Sequence, residues 1–146
     1  MRPFRSDVKG IEGKEWFISW LKKHHFKDII DTDSIDKYYH WDVEATLNGR
    51  RYAFELKNRN HKSSWRWDTV INKYKYDYLV DCPYTAILVT FFEDCFVLID
   101  VKMRPPDGYI VRECSRQTWF DDHSLYDNRM ARWDIQNMRL LDYDKV

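Results

Sequence analysis

The dipeptide Asn48-Gly49 constrains the fold of this chain more than any other feature, because it lies between two runs that alternate polar and apolar side chains. Asn-Gly is the preferred sequence for a two-residue type I′ turn, since both positions need a positive φ. Counting outward from such a turn places Val43 opposite Phe54 and Asp42 opposite Glu55. The sequence therefore predicts a β-hairpin with a fixed register.

This register separates the hairpin into an apolar face and a polar face, because directly opposed residues share one side of a sheet and side chains alternate along each strand. The apolar face, from Val43 to Phe54, is expected to pack in the core. The polar face carries Asp42, Glu44, Thr46, Arg51, Ala53, Glu55 and Lys57. Glu44 is expected to meet Arg51 diagonally in solvent, although it could also assist a metal.

Two carboxylates stand opposite each other at the end of the hairpin far from the turn. Like charges directly opposed across strands destabilise a sheet, so Asp42 and Glu55 need a counter-ion. Lys57 supplies one positive charge, and a solvent-facing salt bridge would be the simplest outcome. A divalent cation such as Mg²⁺ would supply more charge and accept carboxylate oxygens at about 2.1 Å. Both interpretations remain open on spacing alone.

The rest of the chain is predicted to form further helices and strands around this hairpin. They are a helix over Gly10–His25, a strand over Phe26–Asp31, a loop over Thr32–His40, a helix from Asp68 or Thr69 to about Val80 ended by Pro83, buried strands at 85–92 and 95–101, and weaker strands at Tyr109–Cys114 and Met130–Ile135. The order indicates an α/β or α+β sheet domain. We expect a single domain over residues 1–146, with a core at about 10–101 and a C-terminal extension at 102–146.

The composition indicates a reduced, soluble, cytoplasmic setting without a membrane. The polar N-terminus does not resemble a signal peptide, and no apolar run is long enough to cross a bilayer. Three cysteines cannot all pair with one another and show no metal-ligand spacing. We expect them to be buried thiols.

A basic stretch follows the hairpin, with six Lys and Arg residues between Lys57 and Lys75 against a single acid, Asp68. Aromatic rings lie among these cations, a combination that suits a phosphate backbone and its bases. The simpler interpretation is a solvated basic loop and helix face. The candidates for nucleic-acid contact are Arg59, His61, Lys62, Trp65, Arg66 and Lys73, and Lys75 is a further residue that could reach a phosphate or lie in solvent.

Asp42 followed by Glu55-Leu56-Lys57, on neighbouring strands after a helix that bears Glu12 and Glu15, resembles the PD-(D/E)XK nuclease superfamily. This superfamily includes restriction enzymes and Holliday junction resolvases. The resemblance implies a restriction-endonuclease-like αβββαβ core, with a central mixed sheet flanked by helices. The predicted element order over residues 10–92 agrees with that core.

The resemblance also implies a role for each matched residue. Asp42 and Glu55 would bind catalytic Mg²⁺, for which Mn²⁺ would substitute, with the Leu56 backbone carbonyl as a further ligand. Lys57 would position or deprotonate the attacking water. Glu15 would add a metal ligand from the helix, with Glu12 as the alternative.

The function implied is a metal-dependent deoxyribonuclease that hydrolyses phosphodiester bonds and recognises structure or ends. Cleavage of four-way junctions would require a homodimer. The alternatives are a nucleic-acid-binding module that keeps the fold and cleaves nothing, and an interaction protein that binds no nucleic acid.

Overall fold

The computed structural model describes residues 11–35, 40–111 and 129–143. The elements are α1 (Ile11–Lys23), β1 (Lys27–Asp31), α2 (Thr32–Ile35), β2 (Val43–Leu47), β3 (Arg50–Asn58), a single 3₁₀ turn (Ser63–Trp65), β4 (Asp68–Asn72), α3 (Lys73–Asp81), β5 (Thr85–Phe91), β6 (Phe96–Asp100), β7 (Gly108–Val111) and β8 (Arg129–Asp134). No helix in the described part of the chain is long and apolar enough to span a membrane.

The main sheet has five strands in the order β1-β2-β3-β5-β6. β3 and β5 are parallel, and the other neighbours are antiparallel. A parallel pair needs a crossover connection, and here the chain between β3 and β5 forms β4 and α3. The mixed sheet with its helices confirms the predicted fold class.

The hairpin forms in the predicted register. Val43 pairs with Phe54, and Leu47 pairs with Arg50 beside the turn. The turn residues Asn48 and Gly49 have φ values of 51° and 79°, as a type I′ turn requires. The dipeptide therefore fixes which hairpin residues share a face.

Gly49→Ala is expected to lower the free energy of unfolding by about 1–2 kcal/mol, because an L side chain is strained at positive φ. A Cβ at Gly49 would meet nothing within 4 Å, so the effect is confined to the backbone. Gly108→Ala is the matched control, because a Cβ there also meets open space and no positive φ is involved. Urea denaturation of both variants checks the prediction, and equal losses would contradict it.

The two faces of the main sheet are covered by different elements. α1 covers one face through Phe17 and Leu21, which pack in one cluster with Val43, Ala45 and Phe54. The opposite face is covered by α3 and by a second sheet of order β4-β8-β7. Its core includes Ala53, Ile71, Leu79, Ala86, Leu88, Val97, Ile99, Ala131, Trp133 and Ile135. Residues 129–143 therefore contribute to the core, and the single-domain assignment stays a prediction.

The predicted helix start at Asp68 or Thr69 is wrong, because residues 68–72 form strand β4. Three β-branched residues in succession, Thr69 to Ile71, are all buried, and such side chains favour strands. The partner of β4 is β8, more than fifty residues further along the chain, which the local pattern does not reveal. The helix begins at Lys73 and ends at Asp81, two residues before Pro83.

The other predicted elements agree with the structure apart from small changes at their ends. The predicted loop after β1 begins with one helical turn, Thr32–Ile35, and residues 36–39 lie outside the described residues. The predicted strand Tyr109–Cys114 is observed as β7, which runs from Gly108 to Val111. Residues 112–114 lie outside the described residues. Cys82 and Cys95 are buried and unpaired, as predicted, and Cys114 lies outside the described residues.

Candidate active site

Three of the predicted catalytic side chains lie together at the end of the hairpin far from its turn. Asp42 immediately precedes β2, and Glu55 and Lys57 lie two residues apart on β3. The backbone N–H of Asp42 donates to the carbonyl of Phe54 over 2.9 Å, which continues the ladder beyond β2. The Asp42 carboxylate accepts the backbone N–H of Leu56 over 2.8 Å. These bonds hold the Asp42 carboxylate beside the strand that carries Glu55.

Glu55 is a buried carboxylate with two lysines close to it. The residue is only 2% exposed, and Lys75 on α3 contacts its side chain. Lys57 Nζ lies 3.8 Å from one carboxylate oxygen, and Lys75 Nζ lies 3.4 Å from the other. Burial, and then the negative charge of Asp42, raise the pKa of Glu55 from 4.5 to about 7, although both lysines act in the opposite direction. Near neutral pH this group therefore exchanges a proton readily.

The two lysines beside Glu55 differ in their protonation. Burial lowers the pKa of Lys57, and the charges of Lys75 and Arg59 lower it further, while Glu55 and Asp42 partly offset this. For Lys75 burial also acts to lower the pKa, but Glu55 and Asp42 raise it above the ordinary value. Lys57 is therefore the lysine that gives up a proton more easily, and Lys75 is the one that keeps its charge.

The contact between Lys75 and Glu55 was not among the predicted roles of Lys75, which were a phosphate contact or exposure to solvent. It depends on how α3 packs over the sheet, because twenty residues and strand β4 separate the two side chains along the chain. No spacing rule in the sequence predicts such a contact.

Glu44 meets Arg51 as predicted, but in the protein interior and not in solvent. The residue is 6% exposed, and its carboxylate accepts the Trp41 indole N–H over 2.6 Å and lies 3.1 Å from the Arg51 guanidinium. The polar face of the hairpin is thus covered at Glu44, while Arg51 and Lys57 on the same face stay partly exposed. Glu44 is held by its own partners, which favours a structural role.

Glu15 lies on the surface of α1, and the structure does not bring it together with Asp42 and Glu55. Among the side chains that the structure describes, which exclude that of Glu12, no group of three or more from His, Cys, Asp and Glu is placed to hold a metal ion. The first turns of α1 do approach the end of β3, since a Cβ on Gly13 would lie 3.0 Å from Asn58 Oδ1. The side chain of the alternative ligand, Glu12, lies outside the described residues.

The donor chemistry of the site fits Mg²⁺. Asp42 and Glu55 offer carboxylate oxygens, and the Leu56 carbonyl remains a predicted ligand. Mg²⁺ prefers oxygen donors and usually keeps several waters, binding through one or two carboxylates and a substrate phosphate and not through a complete protein cage. Glu55 is buried, and its carboxylate feels the negative charge of Asp42. A hard cation bound to both carboxylates would offset their repulsion.

The predicted nucleic-acid contacts lie mostly in the loop between β3 and β4. A small cleft of about 130 Å³ is lined by Arg59, His61, Arg66, Asp68, Thr69 and Val70. Arg59 donates to the Val70 carbonyl over 2.7 Å, which fixes its guanidinium at the cleft. Lys62 and Trp65 are exposed at the outer side of the loop. Lys73 pairs with Asp77 on α3 over 2.9 Å and is not part of this cleft.

The fold is similar to that of Hjc, a Holliday junction resolvase from the archaeal hyperthermophile Archaeoglobus fulgidus. The alignment covers 87% of this chain and 84% of that chain, with a TM-score of 0.55 and 14% sequence identity. A likeness at this identity shows the fold alone, and it confirms the predicted restriction-endonuclease-like class. No protein-family model and no curated protein sequence matches the chain.

Proposed function

We propose that this protein is a Mg²⁺-dependent nuclease that hydrolyses phosphodiester bonds in DNA. The observation that carries the proposal is the burial of the Glu55 carboxylate beside Asp42, with Lys57 within 3.8 Å. Burying charged groups is unfavourable and is seldom kept for stability alone. Perturbed pKa values in such a cluster are typical of catalytic sites.

The residues of the chain divide the chemistry between them. Asp42 and Glu55 would hold the cation, which would polarise a phosphoryl oxygen and lower the pKa of bound water. Lys57 orients the attacking water and, because burial lowers the pKa of its amine, is found more often than an exposed lysine in the neutral form that can take a proton from that water. Lys75 keeps its positive charge beside Glu55 and offsets negative charge that builds up on the phosphoryl group.

The fold similarity favours a substrate with structure over a long recognition sequence. The similar protein is named for resolving Holliday junctions, and the described chain contains no separate reading module. We therefore propose a structure- or end-directed enzyme. If four-way junctions are the substrate, two active sites are needed, and the protein would act as a homodimer.

Incubation of the pure protein with plasmid and branched DNA tests this proposal. We expect products with Mg²⁺ or Mn²⁺ and none with EDTA, measured on denaturing gels that resolve the cut strands. Retardation of DNA without products under every metal condition would favour a binding module that has lost catalysis. Absence of both binding and cutting at low salt would favour an interaction protein, since phosphate contacts are strongest there.

A further inference from the structure

We propose that Trp65 is a stacking platform for an unpaired nucleobase, so that the preferred substrate carries a single-stranded or frayed base beside the bond to be cut. The position of that bond rests on the proposed function. The stacking itself requires no catalysis, so the two can be tested separately.

Trp65 is the most exposed Trp or Tyr side chain among the described residues. It is 68% exposed, against 46% for Tyr109 and 38% for Trp67, whereas Trp41 and Trp133 are buried. One exposed apolar side chain is ordinary on a protein surface, so exposure alone decides nothing. The Trp65 ring, however, lies 4.7 Å from the His61 ring and 5.9 Å from the Arg66 guanidinium. An exposed ring beside groups that also pair with phosphate is an arrangement found in single-strand binding sites.

The loop that carries Trp65 is fastened to the turn between β5 and β6. The backbone N–H and the hydroxyl of Ser63 both donate to the Asp94 carboxylate, each over 2.8 Å. The backbone N–H of Glu93 donates to the His61 carbonyl over 3.0 Å. Ser63 itself is buried. The loop backbone that carries the ring is thus held in place before binding, and less conformational entropy is lost when a base stacks on the ring than in a mobile loop.

The same loop continues directly into the candidate active site. The charge of Arg59, which lines the cleft, is close enough to act on the Lys57 amine. Thr69 also lines the cleft, its hydroxyl hydrogen-bonds the buried Thr90 hydroxyl over 2.7 Å, and Thr90 pairs with Lys57 in the sheet. A nucleic-acid strand that contacts both Trp65 and the cleft would therefore lie close to Lys57.

The lining of the cleft suits a phosphate group. Its volume of about 130 Å³ is well below the roughly 300 Å³ of the smallest usual ligand pockets, and Arg59 and Arg66 line it. Arg66 lies 3.5 Å from Asp68, and its side chain is 46% exposed. This ion pair is therefore weak, and Arg66 can pair with a phosphate in place of Asp68. The base then remains outside the cleft, where Trp65 offers its ring.

Stacking on Trp65 selects for an unpaired base. In an intact duplex each base is already stacked between its neighbours and offers no face to an external ring. A base in a single strand, a flap or a frayed end has a free face. The ring therefore favours substrates with such a base, and it does so without reading sequence, because every base has a π-face.

The test is the affinity of the full chain for labelled DNA in EDTA, where cleavage does not occur, by fluorescence anisotropy at fixed salt. The probes are a single strand, a duplex with a single-stranded flap, and a fully paired duplex of the same length. Trp65→Ala is expected to weaken binding of the single strand and the flap by roughly 5- to 150-fold, and that of the paired duplex by about threefold or less. Trp65→Phe should recover most of the loss, and Tyr109→Ala, an exposed aromatic on β7, should change none of the affinities.

A second measurement reports the stacking directly. A 2-aminopurine placed in the flap should lose fluorescence on binding to the wild-type chain and to Tyr109→Ala, and not on binding to Trp65→Ala. Equal weakening of all three probes by Trp65→Ala, or unchanged quenching in that variant, would overturn the inference while leaving the nuclease proposal intact. Stacking that depends on Trp65 in a protein that never cuts would uphold the inference and overturn the nuclease.

Discussion

Replacing Lys57 with alanine is expected to slow Mg²⁺-dependent cleavage by about 10²–10⁴-fold, the range that a general acid or base contributes. The physical reason is that Lys57 has its amine 3.8 Å from Glu55 and a pKa lowered by burial, so it is the group best placed to handle a proton at this site. Single-turnover cleavage of branched DNA measures the effect. Affinity for the same DNA in EDTA should change little.

Further variants separate the charge of Lys57 from its protonation. Lys57→Arg keeps a positive charge but cannot release a proton near neutral pH. If the amine only offsets charge, this variant recovers much of the rate, and if it transfers a proton the rate stays low. Lys22→Ala, an exposed lysine on α1, is the control and should cut normally. Asp42→Asn should abolish cleavage as well, and full activity in Asp42→Asn or Lys57→Ala would refute the assignment of the site.

Glu55→Gln is expected to stabilise the metal-free protein at about pH 8 by up to about 3 kcal/mol, at 1.36 kcal/mol per pKa unit, while abolishing cleavage. Burial raises the pKa of Glu55 from 4.5 in the unfolded chain to about 7 in the folded protein. Between these values the folded state binds more protons than the unfolded state, so the free energy of unfolding falls as the pH rises. Glutamine cannot ionise and escapes this loss.

Urea denaturation in EDTA at several pH values between about 5 and about 8 measures this difference. The two proteins should have similar stability at the acidic end and diverge towards pH 8, with Glu55→Gln the more stable. Added Mg²⁺ should raise the stability of the wild-type protein at about pH 8 and have little effect on Glu55→Gln, because a ligand of the folded state stabilises it by mass action. If the free energies of unfolding of the two proteins changed in parallel with pH, folding would not raise the pKa of Glu55.

Glu44→Gln provides the contrast within the same sheet face. Glu44 is also buried, but it lies 3.1 Å from the Arg51 guanidinium and accepts the Trp41 indole N–H. Glu44→Gln removes the negative charge from the ion pair with Arg51. We therefore expect its free energy of unfolding at about pH 8 to be lower than that of the wild-type protein. Two buried glutamates on one hairpin should thus respond to the same substitution with opposite signs.

The hairpin could be predicted from the sequence because its determinants are local. Asn48-Gly49 sets the turn, the turn sets the register, and the register brings Asp42 beside the strand that carries Glu55 and Lys57. Each step uses residues within a short stretch of chain. The α1 helix and the buried strand β5 were predicted for the same reason, since their apolar patterns are continuous.

Contacts between distant segments could not be predicted in this way. Strand β4 pairs with β8, and without that partner its short β-branched run looks like the start of the helix that follows. Glu44 is buried because other parts of the chain cover a hairpin face that would otherwise meet water. Lys75 reaches Glu55 only because α3 packs on that face. The sequence thus predicts that Asp42, Glu55 and Lys57 share one end of the hairpin, but not the contact with Lys75 or the surroundings that shift their pKa values.

The parallel pairing of β3 with β5 determines when the site is assembled as the ribosome makes the chain. The hairpin can close as soon as Asn58 has emerged, whereas β5 reaches β3 only after β4 and α3 have been synthesised. Until then Asp42, Glu55 and Lys57 stand in water, where a carboxyl such as that of Glu55 titrates at its ordinary pKa of 4.5. A nascent or truncated chain therefore carries Asp42, Glu55 and Lys57 without the burial that raises the pKa of Glu55.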